Sequence, residues 1–310
     1  MRRTRSSVFL AVLCIVGVAG GPEMRGQGTT TEQKGHDREY WRAIAKNHYA
    51  IPAGQEAFPL ARELSGYLGS PDPELRDDLA YSILAVWIIR QKKFSPEELV
   101  TLVEEWQSNL QTGIGETGTD GIFKRSFSAL CLSSLAERDL KDPFLGEGRF
   151  RTLLNAALTY LGGERDLRGF DAKKGWIHTT AHTADLLAAL AQNKLFTKQD
   201  QERVLKAITQ RLATANEIFS YGEQDRLAHV AAVIASREDF DRGVWDSWLT
   251  ELDKEDKVVW QNSPPKLQAL ARYENDSYFM SAAVAQISLK PATSASAEAQ
   301  KTVLALLRHR

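Results

Sequence analysis

His178, His182 and Asp185 follow one another at helical-turn spacing in Gly175-Trp-Ile-His-Thr-Thr-Ala-His-Thr-Ala-Asp-Leu-Leu187. At about 100° per residue, these three and Ala189 fall within roughly 60° of arc. Ile177, Ala181, Ala184, Ala188 and Ala191 form a separate apolar stripe. The pattern predicts a helix that packs with one face and presents imidazoles and a carboxylate on the next. Two histidines at i and i+4 can share a metal ion. Asp185 lies about 10 Å along the axis from His178, too far to join both imidazoles on one ion, so a metal would need Glu223, Asp225 or His229 as well. In the simplest reading Asp185 accepts a hydrogen bond from His182, which fixes its tautomer, raises its pKa and suits it to general-base work. A metal-free ligand pocket and a structural polar network between helices use the same residues.

A charged turn precedes the helix, with Asp166, Arg168, Asp171, Lys173 and Lys174, and Trp176 opens it. Trp176 is expected to pack at a helix junction; an aromatic ring beside polar groups also suits a sugar or peptide. Arg125, Arg168 and Arg226 are candidate anion contacts, because each falls near a predicted helix start, where the macrodipole disfavours a cation. Local pairing offers another explanation: Glu223 with Arg226, Asp225 with His229, or an arginine on Asp166 or Asp185. Trp41, Trp87, Trp106, Trp245, Trp248 and Trp260 read as core. Ser126 and Ser128 lack the strand-to-helix elbow of a nucleophilic serine, and Cys131 reads as a buried thiol. The glycine-rich loop at residues 112–120 lacks the Gly-Lys-Ser/Thr of a phosphate loop.

The elements that must position these groups are helical. From Asp37 onward apolar residues recur at helical period, and no sustained two-residue alternation is present. Ser95-Pro96-Glu97-Glu98 marks a helix start with N-cap, first-turn proline and capping box. An alanine early in an apolar helix recurs at Ala80, Ala129, Ala181 and Ala228, intervals of about 50 residues, close to the roughly 40–47 of HEAT and armadillo helix pairs. An all-α fold is therefore expected, an α/α superhelix of HEAT-like or armadillo-like pairs; a closed α/α toroid is the alternative.

The 310 residues carry 39 Lys+Arg against 40 Asp+Glu, with no basic excess to bind nucleic acid. Residues 1–20 read as a signal peptide: Arg2, Arg3 and Arg5 precede an apolar run at residues 8–20, too short to span a membrane. Export to the periplasm or outside the cell is expected, or a tether if the signal stays uncleaved. Cleavage removes Cys14 and leaves Cys131 with no partner for a disulfide. Residues 21–35 form a polar leader expected to be disordered, residues 36–290 the helical repeat domain, and residues 291–310 a linker and C-terminal helix.

Arg125-Ser-Phe-Ser-Ala-Leu-Cys-Leu132, Asp166-Leu-Arg-Gly-Phe170, the Gly175–Leu187 block and Glu223-Gln-Asp-Arg-Leu-Ala228 resemble the signatures of a bacterial family known only as a domain of unknown function. The resemblance covers about residues 75–234 and implies an all-α, HEAT-like fold; it brings no activity, cofactor or substrate. The expected function is binding of a ligand or protein partner at a concave polar site built from Arg125, Asp166, Arg168, Trp176, His178, His182, Asp185, Glu223 and Arg226. No cofactor, nucleic acid or membrane span after cleavage is expected, with a metal at His178 and His182 as the lesser possibility. The alternative is an envelope hydrolase or lyase acting on carbohydrate or peptide. There His182 would be the general base and Arg125 or Arg168 would stabilise negative charge.

Overall fold

The computed structural model describes residues 35–257 and 259–309. Asp37 accepts the Tyr40 amide and starts α1 (Arg38–Lys46), and α2 (Ala57–Tyr67) follows. Residues 74–90 run as one helix in which α3 (Ser82–Ala85) is flanked by π-helical segments, Glu74–Tyr81 and Val86–Arg90. Ser95 and Glu98 cap each other's backbone at the head of α4 (Pro96–Asn109), as their spacing predicts. Then come α5 (Gly121–Lys141), α6 (Gly146–Gly163), and a hairpin of two-residue strands, β1 (Phe170–Asp171) and β2 (Gly175–Trp176). The chain ends in α7 (Thr179–Ala191), α8 (Lys198–Thr214), α9 (Glu223–Ala235), α10 (Arg242–Asp256), α11 (Leu267–Ser288) and α12 (Ser294–Leu307).

The fold is all-α apart from this hairpin. Its helices stack in two rows: the 74–90 run, α5, α7, α9 and α11 touch in that order, and α4, α6, α8, α10 and α12 line up beside them. Buried Ala299 and Val303 seat α12 on the last pair, so the helical unit continues past residue 290 to α12.

The central helix departs from expectation. Apart from Asp185, every residue of α7 is buried, because α5 and α9 flank it and α6 lies behind. The alanines and threonines of α7 let those helices approach from several sides, and a helix apolar nearly all round belongs inside a core. It therefore has no polar face of imidazoles turned to solvent. Trp41, Trp87, Trp106, Trp245 and Trp248 are core as predicted, but Trp260 is 62% exposed, in a short 3-10 turn (Val259–Gln261) and not on an apolar helix face. Cys131 is buried, which pushes its thiol pKa up. The predicted signal and nearly all of the leader lie outside the described residues. Among the described residues no helix is long and apolar enough to cross a membrane.

Candidate functional site

The hairpin pairs Phe170 with Trp176 and Asp171 with Gly175. Asp171 closes its turn by accepting the amides of Lys173 at 2.8 Å and Lys174 at 2.9 Å. Gly175 is required twice over: its φ is +76°, and a Cβ there would meet Pro73 at 3.0 Å. Gly169, just before the hairpin, brings the chain so close to α9 that a Cβ would fall 2.4 Å from Glu223 Oε1.

Arg76, a residue the sequence reading did not single out, holds the hairpin from behind. It is fully buried; Nη2 donates to the carbonyls of Lys174 at 2.8 Å and Trp176 at 3.2 Å, and Nη1 to that of Ser70 at 2.8 Å. Its guanidinium lies over the rings of Phe123 (4.1 Å) and Phe127 (4.7 Å) on α5. Nε sits 2.7 Å from Asp77, whose carboxyl pKa burial raises against the pull of that pairing.

So held, the hairpin presents Phe170 (39% exposed) and Trp176 (44%), and Tyr221 (47%) joins them from the loop before α9. The centroid of Phe170 lies 4.9 Å from that of Trp176 and 6.0 Å from that of Tyr221, and Trp176 and Tyr221 are 6.3 Å apart. Trp176 is therefore a surface ring and not junction packing. Its reversal follows from the two-residue strand, which puts its side chain opposite Phe170 instead of on the first turn of α7.

His178 backs this ledge. It is the N-cap of α7, in left-handed conformation (φ 50°, ψ 35°), and so lies outside the helix on which it was expected. Its ring stacks on Trp176 at 4.3 Å, and Nε2 donates to the Tyr221 carbonyl at 3.1 Å. Burial, with the charge of Arg226 adding, pulls its pKa down to about 4. His182 lies deeper, edge-on to His178 at 5.6 Å. The Ser126 hydroxyl donates to the Ile177 carbonyl, so His182 Nδ1 must carry its proton to donate to Ser126 Oγ at 2.9 Å, which leaves a lone pair on Nε2. Burial, then the charges of His178 and Arg226, hold His182 well below the usual histidine range.

Asp185 does not orient His182. Both its oxygens accept from Arg226 Nη1, at 2.6 and 2.7 Å, because α9 brings a longer, charged donor to them. Burial raises the Asp185 pKa against that pairing.

The remaining predicted residues split between the ledge and the frame. Arg125 is fully buried and far from free: Nε meets Glu164 at 2.6 Å and Nη1 the Thr112 carbonyl at 3.1 Å. Burial alone would raise the Asp166 pKa, but Arg168 at 2.6 Å and the Gly118 amide at 2.7 Å lower it. Glu223 accepts the Tyr221 amide at 2.9 Å and does not pair with Arg226; burial raises its pKa. Asp225 and His229 meet through Gln286 of α11, which donates to Asp225 at 2.9 Å and lies 3.2 Å from His229 Nδ1. Glu223, Asp225 and His229 are engaged as described, and among the described residues no group of three or more His, Cys, Asp or Glu is arranged for an ion.

One pH effect follows. An unfolded histidine takes up its proton near about 6.5, whereas folded His178 does so at about 4. Between these values the unfolded state binds the extra proton. The contribution of neutral His178 is therefore complete above about pH 6.5 and declines as pH falls toward 4. Urea titrations from pH 4 to 7 should show the wild type losing stability relative to His178→Gln across that window. A constant gap between the two would refute the assignment.

The family model of DUF2785, described as a protein of unknown function, matches residues 110–284, more than half of the chain. The chain belongs to the DUF2785 family. No curated protein and no solved structure matches it. The matched segment begins later and ends later than the residues that carried the resemblance. It takes in the whole ledge, His178, His182 and the Asp185–Arg226 pair, while Arg76 and Asp77 fall outside it.

Proposed function

We propose that this DUF2785 protein is an exported binding protein, a solenoid of helix pairs whose ligand docks on the ledge of Phe170, Trp176 and Tyr221. The observation that carries the reading is the ledge itself: three large aromatic rings left in solvent side by side, two on a hairpin anchored by a buried arginine and the third from the loop before α9. Exposed apolar clusters with a polar rim mark interaction sites, and a rigid support of this kind lowers the entropy cost of binding. Arg125, Asp185 and Arg226 belong to the frame of this site and not to its contact surface. The hydrolase reading loses its central dyad, since the carboxylate that would orient His182 is bonded to Arg226.

Trp176→Ala should leave the thermal midpoint within the narrow range of surface substitutions. It should weaken the bound ligand by about 2 kcal/mol, the size expected of a central aromatic anchor. Calorimetry against a ligand found by screening the wild type checks this. Equal affinity for wild type and variant would place the binding site elsewhere.

A further inference from the structure

We infer that His178 and His182 form a chelate for a divalent ion of the copper and zinc kind, with His178 Nδ1 and His182 Nε2 as the two protein ligands. This is a second site, behind Trp176 and separate from the contact surface of the ledge. Spacing alone allows an ion at this pair; the hydrogen bonds around the two rings are what favour it.

Open lone pairs come first. A neutral imidazole has one donor nitrogen and one acceptor nitrogen. In His178 the donor is Nε2, given to the Tyr221 carbonyl at 3.1 Å. In His182 it is Nδ1, given to Ser126 Oγ at 2.9 Å, because the Ser126 hydroxyl already donates to the Ile177 carbonyl. Among the described residues nothing donates to either acceptor nitrogen. His182 is only 6% exposed, so its open lone pair is embedded in protein, where an unmet acceptor costs about 1–3 kcal/mol. That nitrogen lies across the ring from Ser126 and is turned away from α5. A ring whose far N–H is fixed on an oxygen while its other nitrogen stays open is how proteins present histidine to a metal. Here two such rings stand one turn apart, the His182 amide donating to the His178 carbonyl at 2.8 Å.

The distance between the rings fits a shared ion. An ion about 2.0–2.1 Å from an imidazole nitrogen lies roughly 3.2 Å from the ring centre, so two rings on one tetrahedral ion have centres about 5–5.5 Å apart. The centres of His178 and His182 are 5.6 Å apart, with the ring planes at 90°. Trp176 stacks on a face of His178 at 4.3 Å. A metal bond forms in the plane of the imidazole, so the indole flanks the ion without blocking it. His178 is only half-buried, which leaves a way in from solvent.

Ligand type and charge select the ion. Nitrogen ligands suit copper and zinc, whereas magnesium and calcium take oxygen. The charge of Arg226 reaches both rings, but Asp185 offsets it with both oxygens, at 2.6 and 2.7 Å. Among the described residues no third His, Cys, Asp or Glu completes the set, so the ion keeps its remaining positions for water or for a donor atom of a bound molecule. Structural zinc sites are closed by four protein ligands; this one is open, and its ion exchanges.

The test titrates the full chain, stripped with a chelator and free of any histidine tag, with Cu²⁺, Zn²⁺, Mg²⁺ and Ca²⁺. Calorimetry is read for wild type, His178→Asn, His182→Gln and Ser126→Ala, and copper quenching of tryptophan fluorescence for the same set and Trp176→Phe. Asparagine tolerates the left-handed backbone of position 178 (φ 50°), so His178→Asn removes a ligand and keeps the fold, which a thermal melt checks. The expected result is one equivalent of Cu²⁺, bound more tightly than Zn²⁺, with no response to Mg²⁺ or Ca²⁺. Copper affinity should fall at least tenfold in His178→Asn and His182→Gln. It should fall roughly tenfold in Ser126→Ala, which leaves both ligand nitrogens in place but frees the His182 tautomer. The quenched emission should be that of Trp176, the indole stacked on His178, and should be missing in Trp176→Phe. Copper binding that survives His178→Asn would overturn the site, as would a wild type that binds no copper, and either result leaves the ledge as a ligand site.

Discussion

Arg125→Met is expected to destabilise the protein by about 3–5 kcal/mol, the usual consequence of stripping one partner from a buried ion pair. Arg125 and Glu164 are both almost fully buried, 2.6 Å apart, and the pair ties four segments together. Arg125 comes from α5 and also donates to the Thr112 carbonyl at the start of the preceding loop. Glu164 follows α6 and accepts the amides of Arg165 at 2.9 Å and Asp166 at 3.0 Å, while Arg211 of α8 donates to its carbonyl at 3.1 Å. Without the guanidinium, a carboxylate would stay in the core with two amides alone to stabilise it. Arg125→Met with Glu164→Gln should recover a large part of the loss, since a neutral amide is cheaper to bury than an orphaned charge. Urea midpoints of wild type, both single variants and the double variant measure the coupling directly. Additive losses would show that the two side chains do not act as a pair.

The same pair marks where sequence reading stops. Helical period, the Ser95 cap, the glycine loop and the buried Cys131 are local properties, and local spacing displays them. Arg125 looked like a free anion contact because its counter-ion is 39 residues away, beyond any helical spacing rule. For Asp185 the sequence offers two partners, His182 one turn away and an arginine, and spacing alone cannot choose between them: His182 is the near neighbour along the chain, but Arg226 is the better-placed donor across the α7–α9 contact. Two-residue strands carry no alternation long enough to be seen, so the hairpin and the exposure of Trp176 were invisible. The focal segment itself was legible, because two histidines, a tryptophan and an aspartate in thirteen residues stand out by composition wherever they end up.

Arg76→Met should have the second large effect, and one with a local signature. The substitution removes the donors for the carbonyls of Ser70, Lys174 and Trp176 and the cation between Phe123 and Phe127. It also leaves Asp77 without its buried counter-ion. A loss of about 3–5 kcal/mol is expected on the ion pair alone. Arg76→Lys keeps the charge but presents one point donor instead of a planar fork that bonds several carbonyls and stacks on rings, so it should restore only a fraction. The distinguishing readout is the hairpin. The amides of Ile177 and His178 both donate to the Gly169 carbonyl, at 2.9 and 3.1 Å, and their hydrogen exchange should accelerate more than that of α11, which Arg76 does not touch. Uniform acceleration would mean that Arg76 merely adds to global stability. Selective loss at the hairpin would show that this arginine, from a π-helical segment outside the family match, fixes the backbone on which Trp176 and His178 stand. A ledge loosened in this way should also bind its ligand more weakly with Trp176 intact, because ordering the hairpin would then draw on the binding energy.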